Sequence, residues 1–344
     1  MKENNTIGWD IGGAHLKIVV LDKDSTVIYV DQIETPIWKG LEVLERAIES
    51  VPESLMESAE HGITMTGELA DIFPDRTSGV RELVRLFSQK VSGNINIYAA
   101  QKGWLKANDI EGSETHIASA NWHAASSFIS TKIPQGLLID TGSTTTDIIP
   151  FFDQKTMSVG FSDQQRLQQD ELVYTGVNRT SVATVISRVP FAGEWQQITT
   201  ENFSTMADVY CLTGDIPENA GFTTADGNGT SMIDCARRLA RIIGFDLHEA
   251  ELCAWQQLAH YIARQQLQNI SQAVARVCSR FHERFYDQEF PIVGAGAGRF
   301  LIRKITQSHN LTYIDFADLV QGDEMLKQAA AICAPATACA AILT

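Results

Sequence analysis

Two stretches of the chain bring together residue types that suit phosphate chemistry. The first is Asp10-Ile11-Gly12-Gly13, inside IGWDIGGAHLKIVV at residues 7–20. The second is Asp140-Thr141-Gly142-Ser143-Thr144, inside GLLIDTGSTTTDIIPFF at residues 136–152. Each reads as apolar run, aspartate, glycine turn, apolar run. Glycine leaves backbone N–H groups open to a ligand, and successive N–H groups in a turn make a nest for an anion. An aspartate just ahead of the turn suits a hydrated Mg²⁺ that bridges phosphate oxygens. Asp10 and Asp140 are therefore the candidate metal-side carboxylates. On the outgoing strand His15, Lys17 and Val19 share one face, which makes Lys17 a candidate for a phosphate oxygen. Hydroxyls from Thr141, Ser143, Thr144, Thr145 and Thr146 add donors, and Asp147 closes the second turn. The first turn alone is explained equally well by a plain hairpin with a solvated aspartate. Its repetition favours two related units that face each other and share a diphosphate and its metal ion. A third turn, Gly294-Ala295-Gly296-Ala297-Gly298 before Arg299, offers a helix N-terminus for another anion. Its spacing also fits simple close packing.

The elements around these turns alternate. IGWDI, HLKIVVL and VIYVDQIET are rich in Val, Ile and Tyr and read as strands. GLEVLERAIESV carries Leu41, Leu44, Ile48 and Val51 at helical spacing. HGITMTG returns as a strand, VRELVRLFSQKV as a helix and NINIYAA as a strand. THIASANWHAASSFI reads as one small-residue helix. The second half runs through MSVGF, a helix over DQQRLQQDELVY and a strand near RTSVATVISRV. Helical patterns follow over residues 202–212, 229–243 and 248–286. PIVGAGAGRFLIRKI is strand, turn and helix; LTYIDF is a last strand; the alanine-rich tail is a last helix. Strand and helix in this order predict an α/β fold with mixed sheets and helices on their faces. The expected units are residues 1–135 and 136–344, with the last helix packing back on the first.

Composition narrows the function. The chain has 344 residues, enough for two domains, and an ordinary globular balance of 44% hydrophobic and 20% charged residues. Its formal charge of −15 argues against nucleic acid as a partner, which clustered Lys and Arg would bind. No apolar run approaches the roughly 18 residues of a membrane helix, and the polar start MKENNTIGW predicts no secretory signal. Six cysteines are scattered with no CxxC. That usage fits the reducing cytoplasm and argues against a structural zinc. The oligomeric state stays open, with a homodimer among the possibilities.

DIGGAHLK, IDTGSTTTD and VGAGAGR, in that order, resemble the actin, sugar kinase and Hsp70 ATPase superfamily. The resemblance implies two ribonuclease-H-like (actin-like ATPase) domains that clamp a ligand and Mg²⁺ in the cleft between them. TMTGELAD at residues 64–71 and ELVYTGVNRT at residues 171–180 resemble the hydantoinase/oxoprolinase branch, of which this would be a compact member. SANWHAASSF narrows the likeness, over residues 6–340, to the family linked to tetrahydromethanopterin-dependent one-carbon metabolism. Archaeal members of it join an aminomethylfuran diphosphate to the phenol of γ-glutamyltyramine.

That likeness implies a cytoplasmic transferase in methanofuran biosynthesis, with small-molecule diphosphate and phenol substrates and Mg²⁺ as cofactor; a role for ATP stays open. Gly12, Gly13, Thr141, Gly142, Ser143, Thr144, Gly294, Gly296 and Arg299 would hold phosphate, with Lys17 neutralising charge. A phenol of pKa near 10 needs a base or a nearby cation to attack at neutral pH. Glu68, His123 and Asp147 are the candidates for the base. Asn121 and Trp122 would line the ring pocket, although Trp122 and His123 also suit a helix packed between domains. Arg179 would meet a carboxylate or a phosphate, and an exposed or structural arginine explains it equally well. The rivals are an ATP-dependent small-molecule kinase, an ATP-dependent hydrolase component of the hydantoinase type, and a non-catalytic nucleotide switch. GAGAGR departs from the Gly-Gly pair of the kinases, which disfavours a nucleoside.

Overall fold

The computed structural model describes residues 5–56, 59–281, 291–309 and 311–343. The chain opens with three antiparallel strands, β1 (Thr6–Ile11), β2 (His15–Leu21) and β3 (Thr26–Glu34). Helices α1 (Glu42–Glu49) and α2 (Glu53–Met56) lead to β4 (Glu60–Met65), and α3 (Arg76–Lys90) leads to β5 (Asn94–Tyr98) and β6 (Trp104–Lys106). Both β4 and β5 run parallel to β1. Helices α4 (Glu114–Ile117) and α5 (Asn121–Lys132) cross to a second sheet. It holds β7 (Gln135–Thr141), β8 (Thr146–Phe152), β9 (Lys155–Thr156), β10 (Leu172–Val173), β13 (Ile292–Ala295) and β14 (Tyr313–Asp315). Between β9 and β10 lies α6 (Asp163–Gln168). Between β10 and β13 lie α7 (Val182–Val185), the β11 (Arg188–Phe191) and β12 (Glu194–Gln197) hairpin, α8 (Met206–Thr213), α9 (Met232–Ile242) and α10 (Leu252–Ser279). After β13 come α11 (Arg299–His309), β15 (Gln321–Gly322), α12 (Glu324–Ile332) and α13 (Ala334–Leu343).

The two sheets share one plan. The first has the order β15-β3-β2-β1-β4-β5-β6; the second runs β10-β8-β7-β13-β14. In each, an antiparallel hairpin (β1–β2, β7–β8) is extended by parallel strands beside its first member. Buried Val, Ile and Leu on these strands form the cores, including Ile7, Ile11 and Ile63 in the first and Leu137, Ile139 and Ile292 in the second.

Several predicted elements are divided in the structure. The helix expected over THIASANWHAASSFI breaks between α4 and α5, where Ser119 takes φ 51°. DQQRLQQDELVY is helix only to Gln168. The Glu171 carboxylate is wholly buried and accepts from the Val159 and Gly160 N–H groups of MSVGF, which pulls the following residues into β10. RTSVATVISRV contains α7 as well as β11. Residues 282–286 of the long predicted helix lie outside the described residues. The tail forms two helices, α12 and α13, bent by 104°. Helix α13 lies on β1 and β4. A Cβ on Gly8 would stand 1.8 Å from Ala336 O, and one on Gly62 2.9 Å from Cys339 O, so this close approach requires glycine. Among the described residues no single helix is long and apolar enough to cross a membrane.

One buried base gives the first sheet a pH dependence. Trp9 Nε1 donates to His61 Nδ1 at 3.2 Å, and burial pushes the His61 pKa down to about 4. Between pH 6.5 and 4 the unfolded chain takes up a proton that the folded chain refuses, so stability falls with pH. At pH 5 the expected loss from this group is about 2 kcal/mol. Urea unfolding of wild type and His61→Gln at pH 7 and pH 5 checks it. Equal losses in both proteins would refute a buried neutral ring.

Candidate active site

The two aspartate-glycine turns are the same hairpin built twice. In the first, Asp10 faces Lys17 across β1 and β2, and Gly12 N–H donates to His15 O at 3.0 Å. In the second, Asp140 faces Asp147 across β7 and β8, and Gly142 N–H donates to Thr145 O at 2.8 Å. Lys17 of one copy therefore holds the place of Asp147 in the other. Both turns open into one cavity of about 760 Å³. Its walls include Asp10, Gly12, Gly13, Lys17, Asn121, Asp140, Gly142, Ser143, Thr144, Asp147 and Arg179. The loop of the ELVYTGVNRT motif clamps the second turn. Val177 N–H donates to Gly142 O at 3.0 Å, and the Asn178 and Arg179 N–H groups donate to Ser143 O at 3.1 and 2.9 Å.

The floor of this cavity is a buried charge cluster. Lys17 Nζ lies 3.7 Å from Asp10 Oδ2. Burial raises the Asp10 pKa, and Lys17 opposes the rise. Burial, reinforced by the neighbouring Asp147, pushes Asp140 up to about 7. Burial also raises Asp147, against the pull of Arg166, whose Nη2 donates to Asp147 Oδ1 at 2.6 Å. Arg166 is itself buried and lies over the Trp122 ring, 4.2 Å from its centroid. Three carboxylates thus face two cations.

These residues fit Mg²⁺. Among the described residues no group of three His, Cys, Asp or Glu side chains forms a metal cage. Mg²⁺ does not need one, because it commonly keeps several waters and takes one or two carboxylates plus substrate phosphate oxygens. Asp10 Oδ1 is buried with no hydrogen-bond partner among the described residues, which leaves it available to such an ion. Asp140 would be the second carboxylate.

The remaining predicted residues lie off the cavity wall. Thr141 is buried, and its Oγ1 accepts from Thr146 Oγ1 at 3.3 Å. Trp122 is 2% exposed beneath Arg166, so it supports the floor from below. Nδ1 of His123 is within hydrogen-bond distance of Tyr98 Oη (2.8 Å) and Ser127 Oγ (3.2 Å), and burial pushes its pKa down to about 4. Glu68 is fully buried and pushed up to about 7, chiefly by burial. Ser119 Oγ joins Glu68 Oε1 (2.9 Å) to Asp163 Oδ2 (3.2 Å), and Ser119 and Asp163 themselves reach the cavity.

The third glycine turn braces the second. Gly296 has φ 81°, and a Cβ there would stand 2.3 Å from Asp140 Oδ1 and from Thr141 O. Gly298 N–H donates to Thr141 O at 2.8 Å. Gly294 packs under the Tyr313 ring. Arg299 Nε lies 3.1 Å from Asp315 Oδ1, and Arg299 Nη2 donates to Gln328 Oε1 at 2.6 Å. Of this stretch only Ala297 lines the cavity. The close-packing alternative describes Gly294, Gly296 and Arg299 in this structure, because their contacts are spent on holding Asp140 and the sheet in place.

Sequence reasoning missed Trp38, Ser119, Asp163, Arg166 and Tyr174 on the cavity wall. Arg166 had one available signal, as the only basic residue in DQQRLQQD. Trp38 had another, a large aromatic in the short PIWKG turn at residues 36–40.

Gly13 differs from the packed glycines. A Cβ there would meet nothing within 4 Å. Gly13→Val is therefore expected to leave stability within about 0.5 kcal/mol and to weaken diphosphate binding by about tenfold or more, because the new side chain stands in the cavity. Calorimetry with inorganic diphosphate and Mg²⁺ checks this. Unchanged affinity would show that the turn does not touch phosphate.

A family model described as hydantoinase/oxoprolinase matches residues 60–342. The chain belongs to the hydantoinase/oxoprolinase family. The match begins at β4, so this family's signature covers the second hairpin and not the first. A curated relative from Methanocaldococcus jannaschii is 26% identical over 311 residues, 90% of each chain. It is named (4-{4-[2-(gamma-L-glutamylamino)ethyl]phenoxymethyl}furan-2-yl)methanamine synthase. A Methanococcus vannielii protein of the same name is 31% identical over 124 residues, 36% of this chain and 55% of that one. Among solved structures, nucleotide-free acetone carboxylase aligns with a TM-score of 0.58 at 10% identity, over 98% of this chain and 70% of that one. A ROK family glucokinase from Streptomyces griseus, in complex with glucose and AMPPNP, aligns with a TM-score of 0.50 at 15% identity, over 98% and 99%. These two likenesses place this family member in the actin-like ATPase and sugar kinase fold.

Proposed function

We propose that this protein is a transferase of methanofuran-type biosynthesis that couples an aminomethylfuran-methyl diphosphate to a phenol. That it is an enzyme follows from its synthase relatives. The observation that carries the reaction is the pair of in-register hairpins whose Asp10, Lys17, Asp140 and Asp147 meet at one cavity floor. The bond that forms joins the phenol oxygen to the furfuryl CH₂. The bond that breaks joins that CH₂ to the diphosphate, which leaves with the electron pair. The phenol proton passes to a carboxylate.

Each residue has a task in this reading. Backbone N–H groups around Gly13, and the Ser143 and Thr144 hydroxyls, hold the diphosphate oxygens. Lys17 meets the negative charge that grows on the leaving group. Asp10 and Asp140 would hold Mg²⁺, which supplies further charge stabilisation to a departing diphosphate. Of the three candidate bases Asp147 alone lines the cavity, and it takes the phenol proton. The third turn, spent on bracing Asp140, supports a site that gains little from a nucleoside. Six free cysteines support a reducing, cytoplasmic setting.

The test mixes purified protein, Mg²⁺ and aminomethylfuran-methyl diphosphate with γ-glutamyltyramine, tyramine or tyrosine. The expected products are an aryl ether and free diphosphate. Phosphate transfer from ATP to a small acceptor, with no ether formed, would replace this reading with the kinase one.

A further inference from the structure

The cavity floor accounts for a diphosphate and its counter-ions; the rim has a different chemistry. Trp38 is 44% exposed, Leu69 46% and Tyr174 68%, and all three line the cavity. The floor carboxylates Asp10 and Asp140 are only 3% and 8% exposed. Trp38 and Leu69 belong to the first half of the chain and Tyr174 to the second. Large apolar side chains at the mouth of a polar pocket offer surface that a flat ring can cover.

Arg179 adds a charge at the same place. Its guanidinium lies over the Trp38 ring, 5.3 Å from the centroid. Of the Lys and Arg side chains on the cavity wall, Lys17 faces Asp10 and Arg166 pairs with Asp147. The Arg179 side chain has no ion pair or hydrogen bond among the described residues. A guanidinium held over an indole face by cation–π attraction still has N–H groups that can grip an oxyanion with two hydrogen bonds. Its backbone is also held. Arg179 N–H donates to Ser143 O, and neighbouring Gly176 packs so closely that a Cβ would stand 2.5 Å from Thr144 N.

We propose that Trp38 and Arg179 form the acceptor subsite: the indole holds an aromatic ring and the guanidinium holds a carboxylate on the tail of the same molecule. This rests on the transferase reading and narrows it. The phenol carries an acidic tail, and a simple phenolic amine is the poorer ligand. The phosphates sit on the floor, so the rim guanidinium serves the acceptor.

Calorimetric titration separates the parts, using tyramine, tyrosine and γ-glutamyltyramine as probes with inorganic diphosphate and Mg²⁺ present. Tyramine and tyrosine differ by the carboxylate alone; γ-glutamyltyramine carries it farther from the ring. At least one carboxylated probe is expected to bind about tenfold or more tighter than tyramine. Arg179→Gln should abolish that preference while leaving tyramine and diphosphate affinity unchanged. Trp38→Ala should weaken all three probes, and Trp38→Phe should restore most of the loss. The proposal is overturned if wild type shows no carboxylate preference, or if the preference survives in Arg179→Gln. It is equally overturned if that variant loses diphosphate affinity, which would make Arg179 a phosphate contact. Binding as expected without ether formation would sink the transferase reading and leave this subsite standing.

Discussion

The Asp140→Asn protein is expected to fold normally and to lose aryl-ether formation by about 10²-fold or more; Asp10→Asn should lose activity alike and some stability as well, because it leaves Lys17 without its carboxylate partner. Both side chains are buried at the cavity floor, and both carboxyl pKa values are raised by that burial. A raised carboxyl pKa means that the ionised form is penalised in the folded state. Above pH 7 the Asp140 charge therefore costs stability, and an amide of the same shape removes the cost. In Mg²⁺-free buffer Asp140→Asn should melt at the wild-type temperature or above. A charge kept against its own stability cost is the pattern expected of a working site. Steady-state rates and melting curves on the same preparations decide the matter. Near-wild-type rates in both variants would remove the proposed diphosphate and Mg²⁺ site.

Arg166→Met is expected to cost about 3–5 kcal/mol of stability at pH 7, from the uncompensated charge it leaves behind. Arg166 is 1% exposed, donates to Asp147 Oδ1 and to Glu171 O at 3.0 Å, and covers the Trp122 ring. Methionine keeps the apolar stem and removes the charge. Asp147 is then a buried carboxylate beside Asp140 with no guanidinium to offset it. Its pKa already lies above the usual carboxylate range, so protonation relieves the strain, and the penalty should shrink as pH falls. The Arg166→Met/Asp147→Asn double variant should recover most of the loss, because no charge is left buried and unpaired. Urea unfolding of the two single variants and the double gives the coupling. A loss under about 1 kcal/mol in Arg166→Met would show that Asp147 does not depend on this ion pair.

Much of the floor was legible because it is local. A hairpin sets its own register, so Asp10 opposite Lys17 and Asp140 opposite Asp147 follow from strand alternation around a glycine turn. The same locality let the repeated pattern announce two related sheets. Short-range periodicity also located most helices, including α1, α3, α9 and α10. It failed where a distant group intervened. Nothing local in DQQRLQQDELVY reveals that Glu171 is captured by two N–H groups of the preceding segment. In the alanine-rich tail the bend at Cys333 did have a local signal, Pro335, which a continuous helix does not tolerate in its interior.

Residue types and near neighbours were enough for the two aspartate-glycine turns and the alternating strands and helices. The tertiary structure alone decided which charges are paired, because pairing depends on distances between elements far apart in the chain. It set Arg166 against Asp147 and Arg299 against Asp315, and it left Arg179 over Trp38. It withdrew Trp122 and His123 from the cavity wall and brought Trp38 to its rim. A helix presents different residues to different neighbours, and only the packing of α5 against the second sheet and α13 settles which side chains the cavity receives.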